Sequence, residues 1–271
     1  MQKCCVRHKG ALLIANMALS STALLAIVLT ATFVHADADG IVRDAKLKLP
    51  HSYEASIKFA NRHFCSGAII APRHVLTAAH CFYQNGAKFP DPMYKYMSVV
   101  SGSNSSLSDG GNRHRIKNVT THQDLSSATK DFWISDIAVV TLESEIQYTA
   151  LEQPIEPSDV DASKSVRART SVWASPVENL QYVEVYLISH GKCAEKLKEK
   201  FLGEHDSKIC GYTRTGRGLC LNNDGSPLVQ DGKVIGVAST SEGCLNGSPD
   251  VYTSVYKNLD FIGKAIEQNS N

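Results

Sequence analysis

Along most of the chain, apolar and polar positions alternate over short runs and rarely recur at the three-to-four-residue spacing of a helix. The segments SYEASIKFA (52–60), GAIIAPRHVLTA (67–78), YMSVVSGS (96–103), HRIKNVTTH (114–122), DIAVVTLE (136–143), TSVWA (170–174), QYVEVYLIS (181–189) and PLVQDGKVIGVAST (227–240) are rich in β-branched and aromatic residues. Gly, Pro, Asn and Asp break them, so each predicts a strand. Asp231-Gly232 sits between two such runs, where a type I′ hairpin needs positive φ at both central residues. Helical periodicity appears twice: in HGKCAEKLKEKFL (190–202), which follows Ser189 as an N-cap, and in YKNLDFIGKAI (256–266), with Leu259, Ile262 and Ile266 on one face. Many short strands with little helix predict an all-β sandwich or pair of barrels. No internal repeat and no linker forces a split of the chain.

Composition agrees and removes some functions. A length of 271 residues with 43% hydrophobic and 20% charged residues reads as globular. The formal charge of +1 offers no overall basic character for nucleic acid, so that class of partner is excluded. The first forty residues carry Lys3, Arg7 and Lys9, then no charged residue until Asp37, and end in the small residues of VHADA. This is a secretory signal pattern with cleavage after Ala36 or Ala38, and Met17 offers an alternative start of more ordinary signal length. The uncharged run could also span a bilayer as a retained anchor, but the cleavage-like site favours a secreted chain with no membrane attachment. Removal of residues 1–36 leaves 25 basic against 27 acidic residues, a net charge of −2.

Cysteine usage fits export. Cys4 and Cys5 fall in the removed segment, and Cys65, Cys81, Cys193, Cys210, Cys220 and Cys244 remain. Six cysteines in a secreted chain predict three disulfides, with fifteen connectivities open on arithmetic alone. No zinc-ligand spacing is present, so no metal is expected. Asn104, Asn118 and Asn246 begin glycosylation sequons; the Ser/Gly-rich surroundings favour Asn104, and Pro249 weakens Asn246.

Two motifs carry chemistry. LTAAHC (76–81) places His80 after a strand, and SDIAVV (135–140) places Asp136 before one. Together with HFCSGAIIAPRHVLTAAHCF, ICGYTRTGRGLCLNNDGSPLVQDGKVIGVAS and GSPDVYTSVYKNLDFI in this order, they resemble the chymotrypsin-like serine proteases, the peptidase S1 family. The resemblance runs from about Ile41 to Ile266. It implies two six-stranded antiparallel β-barrels with a cleft between them and a C-terminal α-helix. The implied organisation is a signal peptide (1–36), a short N-terminal segment (37–40) and a protease-like domain (41–271), its barrels divided near residue 150. It implies the pairings Cys65 with Cys81, Cys193 with Cys210 and Cys220 with Cys244. It makes His80 the general base, Asp136 the carboxylate that orients it, and Ser239 the serine lining the substrate strand.

The departures lie in GLCLNNDGSPLVQ (218–230). Where the family carries C-x-G-D-S-G-G-P, the chain reads Cys220-Leu221-Asn222-Asn223-Asp224-Gly225-Ser226-Pro227. Asp224 holds the place of the nucleophile, and the oxyanion-hole positions become Asn222 and Asp224. Ser226, two residues on, would lie roughly 6 to 7 Å further along an extended chain, too far for His80. A gapped alignment instead keeps Asp224 as the family's buried aspartate and deletes the serine; neither alignment leaves a nucleophile. Activation is altered too: Gly40 precedes Ile41-Val42 where a basic residue is usual, Arg43-Asp44 replaces Gly-Gly, and the partner of the new N-terminus becomes the neutral Asn223. The specificity-pocket floor maps to Gly218, without the acid of a trypsin. Asp250 stands where most members have a wall glycine, which resembles the brachyurin branch of invertebrate proteases, while Ser241 and Thr240 alter the pocket mouth.

The expectation is therefore a secreted serine protease homologue without peptidase activity, a regulatory binder of extracellular proteases, zymogens or protease inhibitors that uses no cofactor. A working endopeptidase is the alternative, and a small-molecule carrier using the inherited cleft is a second. Two carboxylates, Asp136 and Asp224, flanking His80 should raise its pKa.

Overall fold

The computed structural model describes residues 52–84, 87–106, 110–122, 135–162, 166–174, 179–197, 207–213, 223–240 and 248–269. In chain order the strands are β1 Glu54–Phe59, β2 Arg62–Ala71, β3 His74–Thr77, β4 Tyr83–Gln84, β5 Ala87–Lys88, β6 Met97–Ser101, β7 Asn112–Thr121 and β8 Ala138–Leu142. They continue as β9 Glu156–Pro157, β10 Arg167–Ala174, β11 Asn179–Ile188, β12 Lys208–Thr213, β13 Pro227–Gln230, β14 Lys233–Thr240 and β15 Asp250–Ser254. The α-helices are α1 His190–Leu197 and α2 Leu259–Gln268.

The first six long strands close into an antiparallel barrel in the order β1-β2-β3-β8-β7-β6. A second barrel follows β13-β10-β11-β12-β15-β14 and closes through the β13–β14 pair, with β9 added in parallel on β14. The double barrel with a C-terminal helix is the architecture expected from the motifs. Inward positions pack as period-2 alternation requires: Ile57, Ile69, Leu76, Ile137 and Leu142 are all at most 1% exposed, each worth roughly 1.5–3 kcal/mol of burial. Ile262 and Ala265 of α2 join that first core, with Leu259 and Ile266 packed at its edge. The second barrel packs Val185, Leu228, Ile235 and Ala238 around the buried ring of Tyr252.

Turn chemistry follows the sequence. Asp231 (φ 50°) and Gly232 (φ 78°) both take the left-handed conformation in the β13–β14 hairpin. Ser189 starts α1, its hydroxyl accepting from Lys192 N at 3.4 Å and its carbonyl from Cys193 N at 3.0 Å. The alternating pattern missed two strands of the second barrel, β12 and β15. KICGYT mixes a lysine, a glycine and a cysteine, and DVYTS is only five residues long, so neither shows a clean period of two. Two of the three expected disulfides are formed, Cys65–Cys81 and Cys193–Cys210. Cys220 and Cys244, the expected signal segment and the residues around Ile41 lie outside the described residues, among which no helix is long and apolar enough to cross a membrane.

Candidate functional site

Elements of both barrels converge on His80. After β3, the small buried residues Ala78 and Ala79 let the chain turn into a short 3-10 helix, Ala79–Phe82, that carries the histidine. The turn is fixed from two sides. Cys81 ties it to β2 through Cys65, and the His80 backbone N–H donates to Asp136 Oδ1 at 2.8 Å. Asp136 stands just before β8 and is fully buried. Its Oδ2 lies 2.8 Å from His80 Nδ1 and accepts the Ser239 hydroxyl at 2.6 Å. Three donors thus converge on one carboxylate, the arrangement that holds an imidazole in one tautomer and orientation.

On the other side of the ring, His80 Nε2 faces Asp224 Oδ2 at 3.5 Å. Asp224 is held by its backbone: its carbonyl accepts from Ser66 N at 2.7 Å, and the next residue, Gly225, donates to Ala238 O at 2.8 Å. Gly225 has φ 82°, and a Cβ there would collide with Ser66 O and Thr77 Oγ1, so this sharp turn admits only glycine. The flanking residues are enclosed. Asn223 is 2% exposed, and its Oδ1 accepts the backbone N–H of Trp173 at 2.7 Å. Ser226 is fully buried, and its Oγ has no hydrogen-bond partner among the described residues.

A residue that the sequence did not single out completes the cluster. Lys208 of β12 is buried, with Nζ 2.8 Å from Thr253 Oγ1 and 3.4 Å from Ser239 Oγ. Thr253 in turn donates to the carbonyl of Asp136 at 2.9 Å. Four charged groups therefore meet here: Lys208 and Asp136 buried, His80 partly covered and Asp224 at the exposed end. Burial pushes Lys208 down to about 8, against the pull of Asp136. Burial would also lower His80, but the charge and hydrogen bond of Asp136, followed by those of Asp224, outweigh it and raise His80 to about 10. Burial would raise Asp136; the adjacent His80, then Lys208 and Ser239, hold it below the usual carboxylate range. At neutral pH His80 is thus an imidazolium donating from both ring nitrogens. An NMR titration should place its pKa well above 6.5, and Asp224→Asn should lower it. A value below 6.5 would mean that Asp224 does not face the ring in solution.

The family model for trypsin matches residues 42–262. The chain belongs to the trypsin family. Trypsin-family relatives include Chymotrypsin-2 of Vespa crabro, 31% identical over 224 residues, 79% of this chain and 94% of that protein. Trypsin delta of Drosophila erecta is 28% identical over 211 residues, 75% of this chain and 79% of that protein. Among solved structures, neuropsin, a serine protease of mouse brain, matches with a TM-score of 0.69 at 23% identity, over 81% of this chain and 96% of that one. Human heparin binding protein matches with a TM-score of 0.64 at 24% identity, over 79% and 91%. These two likenesses concern the fold alone.

Within this trypsin-family frame, His80, Asp136, Ser239 and Asp224 come together, and Asp250 is buried in β15 at 1% exposure. Gly218, expected at the pocket floor, Ser241, expected at its mouth, Asn222, expected in the oxyanion hole, and the sequon residue Asn246 lie outside the described residues. Cys65 and Cys81 lie beside His80 but are bonded to each other, leaving no thiolate for a metal. Of the other sequons, Asn104 is exposed. Asn118 is half-buried within β7 and donates its amide to Asn269 Oδ1 at 3.2 Å.

Proposed function

We propose that this chain is a secreted trypsin-family homologue that has lost peptidase activity and acts in extracellular proteolysis by binding. The observation that carries the reading is the group in front of His80 Nε2: a carboxylate, Asp224, and not a hydroxyl. Peptide-bond cleavage by this fold needs a neutral imidazole to take a proton from a nucleophile. His80 is an imidazolium paired with two carboxylates, and it has no proton-accepting nitrogen at neutral pH. A carboxylate attacking an amide would form an anhydride while expelling a poor leaving group. Placed about 4 Å from a developing oxyanion, the same carboxylate would repel it by roughly 1 to 4 kcal/mol at effective dielectrics of 80 to 20.

The neighbouring residues support the ungapped reading of the loop. Asn223 is the buried member and Asp224 the one turned to the cleft, its side chain 39% exposed. Ser226 cannot substitute, because a fully buried hydroxyl is out of reach of any substrate. The neutral amide of Asn223 already accepts from Trp173 N and provides no charge for a new α-amino terminus. We place the partners among extracellular proteases, zymogens and protease inhibitors, and a glycan on Asn104.

The test is a panel of amide and ester substrates together with a serine-directed phosphonate probe, applied to the mature secreted protein. The expected result is no turnover and no covalent label. Stoichiometric labelling of a serine near His80 would restore the endopeptidase reading. Asp224→Ser alone should recover little activity, because Asn223 remains neutral.

A further inference from the structure

Glu152 is a buried carboxylate without a counter-charge. It is 2% exposed and sits in a turn whose Thr149 and Glu152 backbones bond each other, against the end of β6 and the start of β7. Three neutral donors converge on it. Ser101 Oγ donates to Oε1 at 2.5 Å, while Asn112 Nδ2 and Thr149 Oγ1 donate to Oε2 at 2.8 and 3.3 Å. Both oxygens accept, which is the bonding of an ionised carboxylate. Among the described residues no Lys or Arg pairs with it. His114 stands one hydrogen bond further off, its Nε2 3.0 Å from Ser101 Oγ. Burial, against the pull of Glu152, holds His114 below the ordinary histidine range, so at neutral pH the ring brings no charge. The β6–β7 connection supplies none either, since residues 102–111 read GSNSSLSDGG. A carboxylate taken out of water without an opposite charge is costly, and buried charges are ordinarily paired or hold a cation. Glu152 also lines a cavity of about 470 Å³, together with Gly102, Gly111, Asn112, Ala150 and Leu151. The two glycines make the room. Gly102 (φ 70°) brings the backbone against the carboxylate, where a Cβ would lie 3.1 Å from Glu152 Cγ, and at Gly111 (φ 91°) a Cβ would lie 2.4 Å from Ser101 O.

We infer that this cavity binds a primary ammonium group on an aliphatic stem, carried by a free alkylamine or by a lysine side chain of a partner. The charge calls for a cation, and the remaining chemistry selects which. A hard divalent ion takes six or more oxygen ligands. Here one carboxylate lines the cavity, and its neighbours Asn112 and Thr149 turn their donors towards it. A guanidinium binds best as a fork across both carboxylate oxygens. Oε2 already accepts two bonds, whereas Oε1 accepts one, which leaves a single position for a compact N–H donor. Ala150 and Leu151, the latter 53% exposed, offer apolar surface along which methylene groups can lie. The volume is within the range of small-ligand sites, which pair apolar walls with a few placed polar groups. The cavity shares no residue with the His80 site and does not depend on whether that site hydrolyses peptides.

The experiment is an NMR titration of the mature protein with butylamine and with N-acetyl-lysine methylamide, read at the backbone amide signals of Gly102 and Gly111. Both signals should move and saturate, with a Kd on the order of 1 mM for butylamine, as a ligand of five heavy atoms allows. Saturation by both compounds fits a free amine; saturation by the lysine derivative alone fits a partner side chain. Butan-1-ol, which has the same length and no charge, should leave the signals in place. Glu152→Gln should weaken amine binding by roughly tenfold or more, because the charge is removed. Leu151→Lys leaves the carboxylate and its three donors intact and sets an ammonium of the chain's own at the mouth, so it should fold like the parent and abolish binding. That variant keeps the test decisive if Glu152→Gln fails to fold, and circular dichroism checks both. Absence of any shift at Gly102 and Gly111 up to tens of millimolar of either amine would overturn the inference. So would equal affinity of the parent and a folded Glu152→Gln or Leu151→Lys variant, or movement of the same signals by calcium and by neither amine.

Discussion

Asp136→Asn should destabilise the fold by about 3–5 kcal/mol, the range found when one member of a buried ion pair is removed. Adding Lys208→Met in that background should recover most of the loss. The reason lies beneath the histidine. Lys208 and His80 are both enclosed cations at neutral pH, and Asp136 is the buried carboxylate that pulls on both. With an amide at position 136, both cations lose the carboxylate that they share. Lys208 relaxes by shedding its proton and His80 by a fall in pKa, and each adjustment reduces stability. Methionine matches the length of the lysine stem without its charge, so the double variant keeps only the exposed-side pair of His80 with Asp224. Urea denaturation of the parent, both single variants and the double variant gives the coupling directly. A coupling energy near zero would show that Lys208 does not sense Asp136. Lys208→Met alone should be neutral or stabilising, because the depressed lysine pKa means that burying this charge costs more than its partners return.

His80 and Asp136 were legible because each sits at a strand end inside a distinctive run, TAAHC and SDIAVV, and because Asp224 shares a short loop with the glycine that its turn demands. The direction of the His80 shift followed from counting its two carboxylate neighbours. Lys208 was not legible. A lysine opening a short strand is ordinarily at the surface, and its burial emerges only when β12 pairs with β15 and sets Lys208 opposite Thr253. The alternation in EASIKF is a related case. It puts Glu54, Ser56 and Lys58 on a polar face, which in a one-sided sheet points to water. Here that face is covered, and the three residues are 2%, 3% and 1% exposed. Periodicity identifies which residues share a face; what lies against that face is decided by tertiary contacts, here of Glu54 with the distant Ser171 of β10 and of Ser56 with His63 on the adjacent strand β2.

Those covered residues set the pH dependence of stability. The protein should lose stability most steeply between about pH 6.5 and 8. Glu54 accepts the Ser171 hydroxyl through Oε1, while Oε2 is buried without a partner among the described residues. With no cation bonded to it, burial raises its pKa from 4.5 to about 8. A raised carboxyl pKa means that the folded state holds a proton the unfolded chain releases. Its stabilisation is complete below pH 4.5 and is lost as pH rises through 8. His80, raised from 6.5 to about 10, acts in the same sense from 6.5 upward. Between 6.5 and 8 the two combine, so the folded state binds two more protons than the unfolded one, and stability falls by about 2.7 kcal/mol per pH unit at the limiting slope. Above pH 8 Glu54 has dissociated, and Lys208, depressed from 10.5 to about 8, contributes with opposite sign and offsets His80. The decline should therefore level off between pH 8 and 10. Glu54→Gln keeps an acceptor for Ser171 and has no proton to lose, so it should halve the slope between 6.5 and 8 and exceed the parent in stability at pH 8.5. Urea midpoints measured at half-unit steps of pH decide the matter. A parent whose stability rises from pH 6.5 to 8, or a Glu54→Gln variant with the parent's slope, would mean that Glu54 is ionised in the folded protein and that a cation reaches its second oxygen.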